Sequence, residues 1–320
     1  MKLFLLMLAV SLTCAAPGAR LFAQEEESAL PGTVPEIQSG TLRGETDTTA
    51  AGQELSPGQS GPAWYSMITN IPGDWITTGK LAFRSEGLTV LGGVAVATGI
   101  LLVGDHTAYA YSHGVYSRSA EVRFASNQLI RAGDGRTTLG LAAAFGLYGF
   151  AAGDSRALRT ASGAVEAFLA SGIAVQLLKH ISGRESPQAA TELAGEWRPF
   201  PGLRTYNSNQ PRYYAFPSGH LTTAMATVTV IAENYPDAGW IRPVGYGIVG
   251  LTGVSLVGKG WHWYSDFPLA LALGYTFGKI SAHNDDGPGS DMSAGPGTTK
   301  FDVSPKIGPT GPGVMFALRF

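Results

Sequence analysis

The sequence predicts an all-α protein, a bundle of six apolar helices with a short β-hairpin at the C-terminus. Six apolar runs of 12 to 19 residues exceed the usual length of a strand, and Ala and Leu prevail in them. Charged residues make up only 14% of the chain, which agrees with a large apolar core or a membrane surface. The six runs are 87–104, 137–153, 160–178, 221–232, 243–258 and 267–278.

The first 24 residues predict an export signal. Lys2 precedes the apolar stretch LFLLMLAVSLTCAA, and LFAQ then leads into an acidic EEE, the order expected of a cleavable signal peptide. The chain has one cysteine, Cys14, which lies inside this signal. The mature chain would therefore have neither a disulfide nor thiol chemistry. We expect an exported protein of the bacterial periplasm or cell envelope.

The remaining segments follow from composition. Residues 25–62 are rich in Glu, Ser, Thr, Gly and Pro, which predicts a flexible spacer. Residues 63–84 carry two tryptophans among mixed polar residues, which predicts a short amphipathic segment against the core or at a membrane interface. The helical-bundle domain is expected over 85–282 and a flexible linker over 283–299. Gly and Pro divide two alternating runs in 300–320, which predicts the hairpin.

The relation of the bundle to a membrane is open at this level. A spanning helix needs about 20 apolar residues, whereas two of the six runs have only 12 residues and Glu166 interrupts a third. Three crossings from an exported N-terminus would also turn the end of the third helix towards the cytoplasm. We therefore favour a bundle outside the inner membrane, with a membrane surface as a partner left open. The net charge of −2 gives no indication of nucleic-acid binding.

The stretch FPSGHL, residues 216–221, stands where the fourth helix is expected to begin. Ser218 fits a helix N-cap, and a plain N-cap with Gly219 and His220 as incidental neighbours is the simplest interpretation. The same residues also suit an anion. Free N–H groups, a glycine that allows close approach, a hydroxyl and an imidazole all favour phosphate.

Two further stretches decide between these interpretations. They are LLKHISGRESP, residues 177–187, and SLVGKGWHWYSDF, residues 255–267. Both lie at helix ends that an antiparallel bundle would place on the same face as FPSGHL. Each stretch alone has an ordinary explanation, but basic residues, two histidines and a carboxylate meeting at one end of a bundle predict a pocket.

Within these stretches, His262 and Asp266 are four residues apart and can pair on a helical turn. The pair is either a structural hydrogen bond or an imidazole whose tautomer is fixed so that the other nitrogen can attack. Lys179 and Arg184 are either solvated cations that complement a helix C-terminus or a clamp for phosphate.

Taken together, these stretches resemble the superfamily of type 2 phosphatidic acid phosphatases, class A bacterial acid phosphatases and vanadium haloperoxidases. Its motifs run Lys-x6-Arg-Pro, then Pro-Ser-Gly-His, then Ser-Arg-x5-His-x3-Asp. The resemblance covers about 85–282 and implies the six-helix fold of that superfamily. The matching residues are Lys179, Pro187, Pro217, Ser218, Gly219, His220, Ser255, His262 and Asp266.

The chain departs from these motifs at both arginines. The first-motif arginine would fall at Ser186 and the third-motif arginine at Leu256. We expect Arg184 to replace the first and Lys259 the second. Lysine does not reproduce the bidentate grip of arginine, so efficiency or substrate choice would differ.

The resemblance implies a metal-independent phosphatase that works through a phosphohistidine and needs no cofactor. It implies catalytic roles for His262 as the nucleophile, Asp266 as its partner and His220 as acid and base. The phosphate-binding residues would be Lys179, Arg184, Ser218, Gly219 and Lys259.

Substrate and class stay open between several interpretations. The apolar bundle favours a phosphomonoester or pyrophosphate of a lipid, phosphatidate-like or polyprenyl, over a small soluble phosphomonoester. A non-catalytic or weakened envelope protein of the same fold is one alternative, because both motif arginines are missing. A vanadate-dependent haloperoxidase, with His262 on vanadate, is the other.

Overall fold

The computed structural model describes residues 65–284 and the backbone of 300–308 and 311–319. The predicted signal peptide over 1–24, the spacer over 25–62 and the linker from residue 285 lie outside the described residues.

Within the described part the chain forms helices, short 3-10 turns and one two-stranded sheet. The helices are α1 (Ser66–Thr69), α2 (Ile71–Ala82), α3 (Ser85–Arg118), α4 (Ala120–Ala132), α5 (Gly135–Ala152), α6 (Ser155–Ser182), α7 (Leu203–Ser208), α8 (Gly219–Asn234), α9 (Ile241–Lys259) and α10 (Phe267–His283). The strands β1 (Lys300–Gly308) and β2 (Gly311–Arg319) pair antiparallel, with Lys300 opposite Arg319. They lie where the sequence predicts the hairpin.

The all-α bundle predicted from the six apolar runs is confirmed. The runs correspond to α3, α5, α6, α8, α9 and α10. Helix α8 lies at the centre, packed against α6, α9 and α10. Its apolar side chains Leu221 and Val230 are almost completely buried and belong to two adjoining core clusters.

The stretch 105–136, which separates the first two apolar runs, is mostly helical. Helix α3 continues to Arg118, and α4 follows directly, with Ser119 as its N-cap accepting from the Val122 amide at 3.1 Å. The polar residues of α3 are accommodated because its second half packs on the end of α9 and on the short turn that follows it. His113 Nδ1 lies 2.9 Å from the Gly258 carbonyl oxygen, for example.

The predicted amphipathic segment forms α1 and α2, which pack against α6 and α10. The Trp75 indole donates to the Ala170 carbonyl at 3.0 Å, and the Asn70 amide donates to Glu166 at 3.0 Å. Glu166, which interrupts an apolar run in the sequence, is therefore buried and hydrogen-bonded. This polar cluster lies on the half of α6 remote from Lys179.

Three helices, α3, α6 and α9, are long and apolar enough to cross a membrane. Two of them, at 34 and 28 residues, extend well beyond the apolar runs visible in the sequence. The most apolar window of α3 contains no buried residue, which marks the protein as membrane-associated. Its exposed apolar side chains are Leu88, Val90, Leu91, Val96, Ile100, Leu101 and Val103.

The packing of α10 on α8 depends on two glycines. A Cβ atom on Gly274 would lie 2.5 Å from the Thr222 carbonyl oxygen, and one on Gly278 would lie 2.8 Å from that of Ala226. No real Cβ approaches an oxygen so closely, so only glycine lets the two backbones meet. The starts of both helices are held side by side by this contact.

We predict that Gly274→Ala lowers the thermal stability of the protein. The added methyl group would push α10 away from the Thr222 backbone, at a cost of about 1–3 kcal/mol. Gly247→Ala on α9 is the matched control, since its Cβ would meet nothing within 4 Å. That control should keep or slightly raise the melting temperature, because alanine favours helix. Equal melting temperatures for the two variants in circular dichroism would contradict the close contact.

Candidate active site

The start of α8 is tied to the start of α10. Ser218 is the N-cap of α8, fully buried, and its hydroxyl accepts from the Leu221 amide at 3.4 Å. Its own amide donates to the Asp266 carbonyl oxygen at 3.2 Å. The free N–H groups at the helix start, and the positive end of its dipole, are thus held beside the segment that carries the second histidine.

Lys179 brings a positive charge to the same place. It lies in the last turn of α6 and is 7% exposed. Its Nζ would be 3.5 Å from a Cβ on Gly219, so the ammonium group lies against the backbone that opens α8. It stands 5.1 Å from the centre of the Tyr214 ring and forms no salt bridge within residues 65–284. A buried, unpaired ammonium at a helix N-terminus is suited to an anion.

His262 follows the end of α9, where Gly260 adopts a left-handed conformation with φ of +85° and stops the helix. The imidazole is 1% exposed, and its Nδ1 lies 2.8 Å from the Ala215 carbonyl oxygen and 3.3 Å from Asp266 Oδ2. Both partners accept hydrogen bonds, so Nδ1 carries the proton. The lone pair of the neutral ring is therefore on Nε2.

Asp266 is completely buried, with both carboxylate oxygens occupied. Oδ1 accepts from Arg184 Nη1 at 2.5 Å, and Oδ2 accepts from the Trp263 amide at 2.8 Å as well as facing His262. A buried carboxylate needs such partners to stay charged. The carboxylate is thereby fixed in position behind the imidazole.

His220, at the second position of α8, completes the group. Burial is the main cause that lowers its pKa to about 4, and repulsion from a protonated His262 and from Lys179 contributes to that value. Burial also lowers the pKa of His262, although Asp266 opposes that shift. Both rings are therefore neutral at pH 7 in the unliganded protein.

A cavity of about 940 Å³ opens beside these groups. Lys179, Gly219 and His220 line its polar end, whereas His262 is buried and is not part of its wall. The rest of the cavity is mainly apolar and runs along α6 towards α7. The large apolar side chains that line it are Phe168, Leu169, Ile173, Leu177, Ile181, Phe200 and Leu203.

The expectation that Arg184 grips phosphate is not met. The residue is 0% exposed, and its guanidinium group donates to Asp266, Ser265 and Asp105 rather than towards the cavity. Arg184 precedes Ser186, the position of the motif arginine, by two residues. Its side chain contacts Asp266 Oδ1, whereas His262 faces the opposite oxygen, Oδ2. Ser186 itself is buried and donates to the Pro211 carbonyl at 2.9 Å.

Lys259 is likewise not brought to the cavity. Its Nζ donates to Asn127 Oδ1 at 3.1 Å and lies 4.1 Å from the centre of the Trp261 ring. That ring stands between Lys259 and His220, whose ring centre is 5.5 Å from it. Leu256, at the place of the third-motif arginine, is completely buried in the core.

Sequence reasoning did not find Asp105 or the Ala215 carbonyl group. Asp105 lies on α3 with 1% exposure, accepts from Arg184 Nη2 at 2.9 Å and accepts from the Ser265 amide at 3.1 Å. The sequence offered one indication of a role for Asp105, because this carboxylate directly follows the apolar run 87–104. No side-chain pattern could reveal a carbonyl oxygen as the partner of His262.

Comparison with known proteins agrees with this geometry. Residues 161–286 match the family model of the PAP2 superfamily. Lys179, Ser218, His220, His262 and Asp266 all lie inside the matched residues, whereas Asp105 lies before them.

Two individual proteins are similar to parts of the chain. A lipid A 1-phosphatase of Porphyromonas gingivalis is 33% identical over 67 residues, which is 21% of this chain and 15% of that protein. The matched part is thus about one seventh of the relative's length. A PAP2-type phosphatidylglycerolphosphate phosphatase of Bacillus subtilis, whose crystal structure is known, is 16% identical, with a TM-score of 0.40 over 69% of this chain and 96% of that one.

We predict that Lys179→Gln weakens the binding of inorganic phosphate about 10- to 100-fold, the value of a charge-assisted hydrogen bond. Lys259→Gln is the matched control and should change the dissociation constant less than about threefold, because its ammonium group is outside the cavity. Isothermal titration calorimetry measures both constants. An equal loss in the two variants would place Lys259 at the anion site after all.

Proposed function

We propose that the protein is a metal-independent phosphatase that hydrolyses a phosphomonoester or pyrophosphate of a lipid through a phosphohistidine intermediate. The observation that supports this best is the state of His262. Its Nδ1–H faces two acceptors, so Nε2 keeps a free lone pair, and the charge of Lys179 is near enough to lower the pKa of the same imidazole.

In the first half of the reaction, His262 Nε2 attacks phosphorus and the bond from phosphorus to the leaving oxygen breaks. Asp266 stabilises the positive charge that develops on the imidazole. Lys179 and the backbone amides at Ser218 and Gly219 stabilise negative charge on the phosphoryl oxygens. His220 delivers a proton to the leaving oxygen, so the alcohol departs neutral.

His220 must hold that proton when substrate is bound, although its pKa of about 4 leaves it neutral in the empty site. A phosphate dianion next to the ring reverses the effect of the neighbouring positive charges and raises the pKa. In the second half, the now neutral His220 accepts a proton from water. The water oxygen bonds to phosphorus, the P–N bond breaks, and phosphate and the original imidazole are restored.

A lipid is favoured as the substrate because the polar end of the cavity continues into an apolar part along α6. Its volume of about 940 Å³ is at the upper end of the range for ligand pockets, about 300–1,000 Å³. The exposed apolar face of α3 would bring the protein to a membrane that holds such a substrate. The predicted signal peptide would place this membrane contact in the cell envelope.

A weakened or catalytically silent relative is the second candidate, and one observation favours it. Neither Arg184 nor Lys259 stands in for the missing arginines, so within the described residues Lys179 is the one cation that lines the cavity beside His220. Transition-state charge would be stabilised by fewer donors than the motifs provide.

We predict that His262→Ala abolishes phosphate release, lowering the rate by about three orders of magnitude or more. The assay should present phosphatidic acid, a polyprenyl pyrophosphate, lipid A and p-nitrophenyl phosphate side by side, in detergent and with EDTA. Lipid A is included because of the relative matched over 67 residues. Wild-type activity must persist in EDTA, since the proposed steps use side chains alone.

The control for this experiment is His106→Ala, because His106 is an exposed histidine on α3 that does not line the cavity. Phosphate release by His262→Ala at the wild-type rate would exclude this nucleophile. A wild-type protein inactive on all four substrates would establish the silent alternative.

We predict that Gly172→Trp separates lipid from soluble substrates. Gly172 lines the apolar part of the cavity, and a side chain built there would meet nothing within 4 Å, so the indole fits the space that the lipid chain needs. The ratio kcat/KM for the lipid should fall at least about tenfold. The ratio for p-nitrophenyl phosphate should stay within about twofold.

Gly140→Trp is the matched control, because its position on α5 is equally open and does not line the cavity. It should leave both substrates unaffected. Equal losses on both substrates in Gly172→Trp would mean that the apolar chain does not occupy this cavity.

A further inference from the structure

We propose that Arg184 positions the nucleophile by holding both hydrogen-bond acceptors of His262 Nδ1, one through its side chain and the other through its main chain. The proposal rests on the proposed function, because it assumes that His262 attacks the phosphate. Arg184 would then orient His262 and would not bind phosphate. Asp105 on α3, which pairs with Arg184, would take part in the same positioning.

The side chain of Arg184 fixes the first acceptor. Its Nη1 donates to Asp266 Oδ1 at 2.5 Å and to the neighbouring Ser265 hydroxyl at 2.6 Å. The opposite oxygen of the same carboxylate, Oδ2, faces His262 Nδ1 at 3.3 Å. Because a carboxylate is rigid and planar, holding Oδ1 sets the direction in which Oδ2 points.

The main chain of Arg184 fixes the second acceptor. Its carbonyl oxygen accepts from the Ala215 amide at 3.0 Å, one link of a bridge between these two segments. The carbonyl group of Ala215 then accepts from His262 Nδ1 at 2.8 Å. The same residue therefore holds a carboxylate and a peptide group that together orient the imidazole.

Asp105 holds the guanidinium group from the other side. Its Oδ2 accepts from Arg184 Nη2 at 2.9 Å, and both side chains are fully buried. The fork of Arg184 thus bridges two carboxylates, with one nitrogen on each. A lysine carries a single nitrogen and cannot reproduce that bridge.

Two tryptophans exclude water from this bridge. The guanidinium carbon lies 4.8 Å from the centre of the Trp197 ring and 5.6 Å from that of Trp263. The low local dielectric strengthens the attraction between Arg184 and the carboxylates. It also makes loss of the guanidinium group costly, since two buried carboxylates would then face each other unneutralised.

The bridge acts on the reaction through the position of Nε2. A misplacement of a reacting group by about 1 Å can cost about 100-fold in rate. Phosphate binding, in contrast, depends on Lys179 and the start of α8, which Arg184 does not contact. Loss of the bridge should therefore lower kcat and leave phosphate affinity intact.

The test compares Arg184→Lys, Arg184→Gln and Asp105→Asn with wild type. We expect kcat for p-nitrophenyl phosphate to fall about 10- to 100-fold in all three, the usual cost of losing a partner that orients an active group. KM and the dissociation constant of inorganic phosphate should stay within about threefold. Arg198→Lys, which alters a nearby arginine paired with Glu185, is the matched control and should change none of these values.

A second readout does not depend on activity. With ¹⁵N-labelled histidine, the resonances of His262 report which ring nitrogen carries the proton, and the chain has only six histidines to assign. Wild type should show the Nδ1–H form alone. Arg184→Gln should show a mixture of the two forms, and Arg198→Lys the wild-type pattern.

Circular dichroism identifies any variant that does not fold, and Asp105→Asn, which preserves side-chain volume, then decides alone. An unchanged kcat with an unchanged His262 spectrum overturns the proposal. A phosphate dissociation constant raised tenfold or more by Arg184→Lys also overturns it, because Arg184 would then be a phosphate ligand. If wild type is inactive while the histidine spectra change as expected, the proposed function fails and the positioning role stands.

Discussion

The close contact between α8 and α10 fixes where the two histidines stand. Gly274 and Gly278 let the backbones meet, and the Ser218 amide bonds to the Asp266 carbonyl where both helices begin. The start of α8 and the segment that carries His262 are therefore held next to each other at one end of the bundle. The packing of α8 on α10 inside the bundle thus determines how the starts of these two helices are placed relative to each other.

The fold class and most of the site could be predicted from the sequence, because they depend on local patterns. Apolar runs indicated six helices, and Ser218, His220, His262 and Asp266 stand at the helix ends expected of them. The extent of α3 could not be predicted, since its polar second half packs on the end of α9 and on the turn that follows it. Burial of that kind depends on tertiary contacts that no local pattern encodes.

The positions of Arg184 and Lys259 away from the cavity could not be predicted for a related reason. Both were assigned by counting residues from a motif, which gives proximity along the chain but not the side of Asp266 on which a side chain lies. Arg184 lies two residues before the motif position Ser186 in an irregular segment, and its side chain is completely buried in the core. The Trp261 ring lies between Lys259 and His220, so Lys259 does not reach the cavity although it is only three residues from His262 in the sequence.

The bridge from Asp105 to Arg184 also relates His262 to the long apolar helix α3. Asp105 follows the exposed apolar residues of the first half of α3, so the same helix carries an apolar surface and a partner of Arg184. Tilting α3 against the bundle would either break a buried ion pair or carry Asp266 with it. Breaking the pair leaves an uncompensated buried charge, which costs several kcal/mol, on the order of 3–5. The position of His262 therefore depends on how α3 packs against the bundle, although α3 lies far from His262 in the sequence.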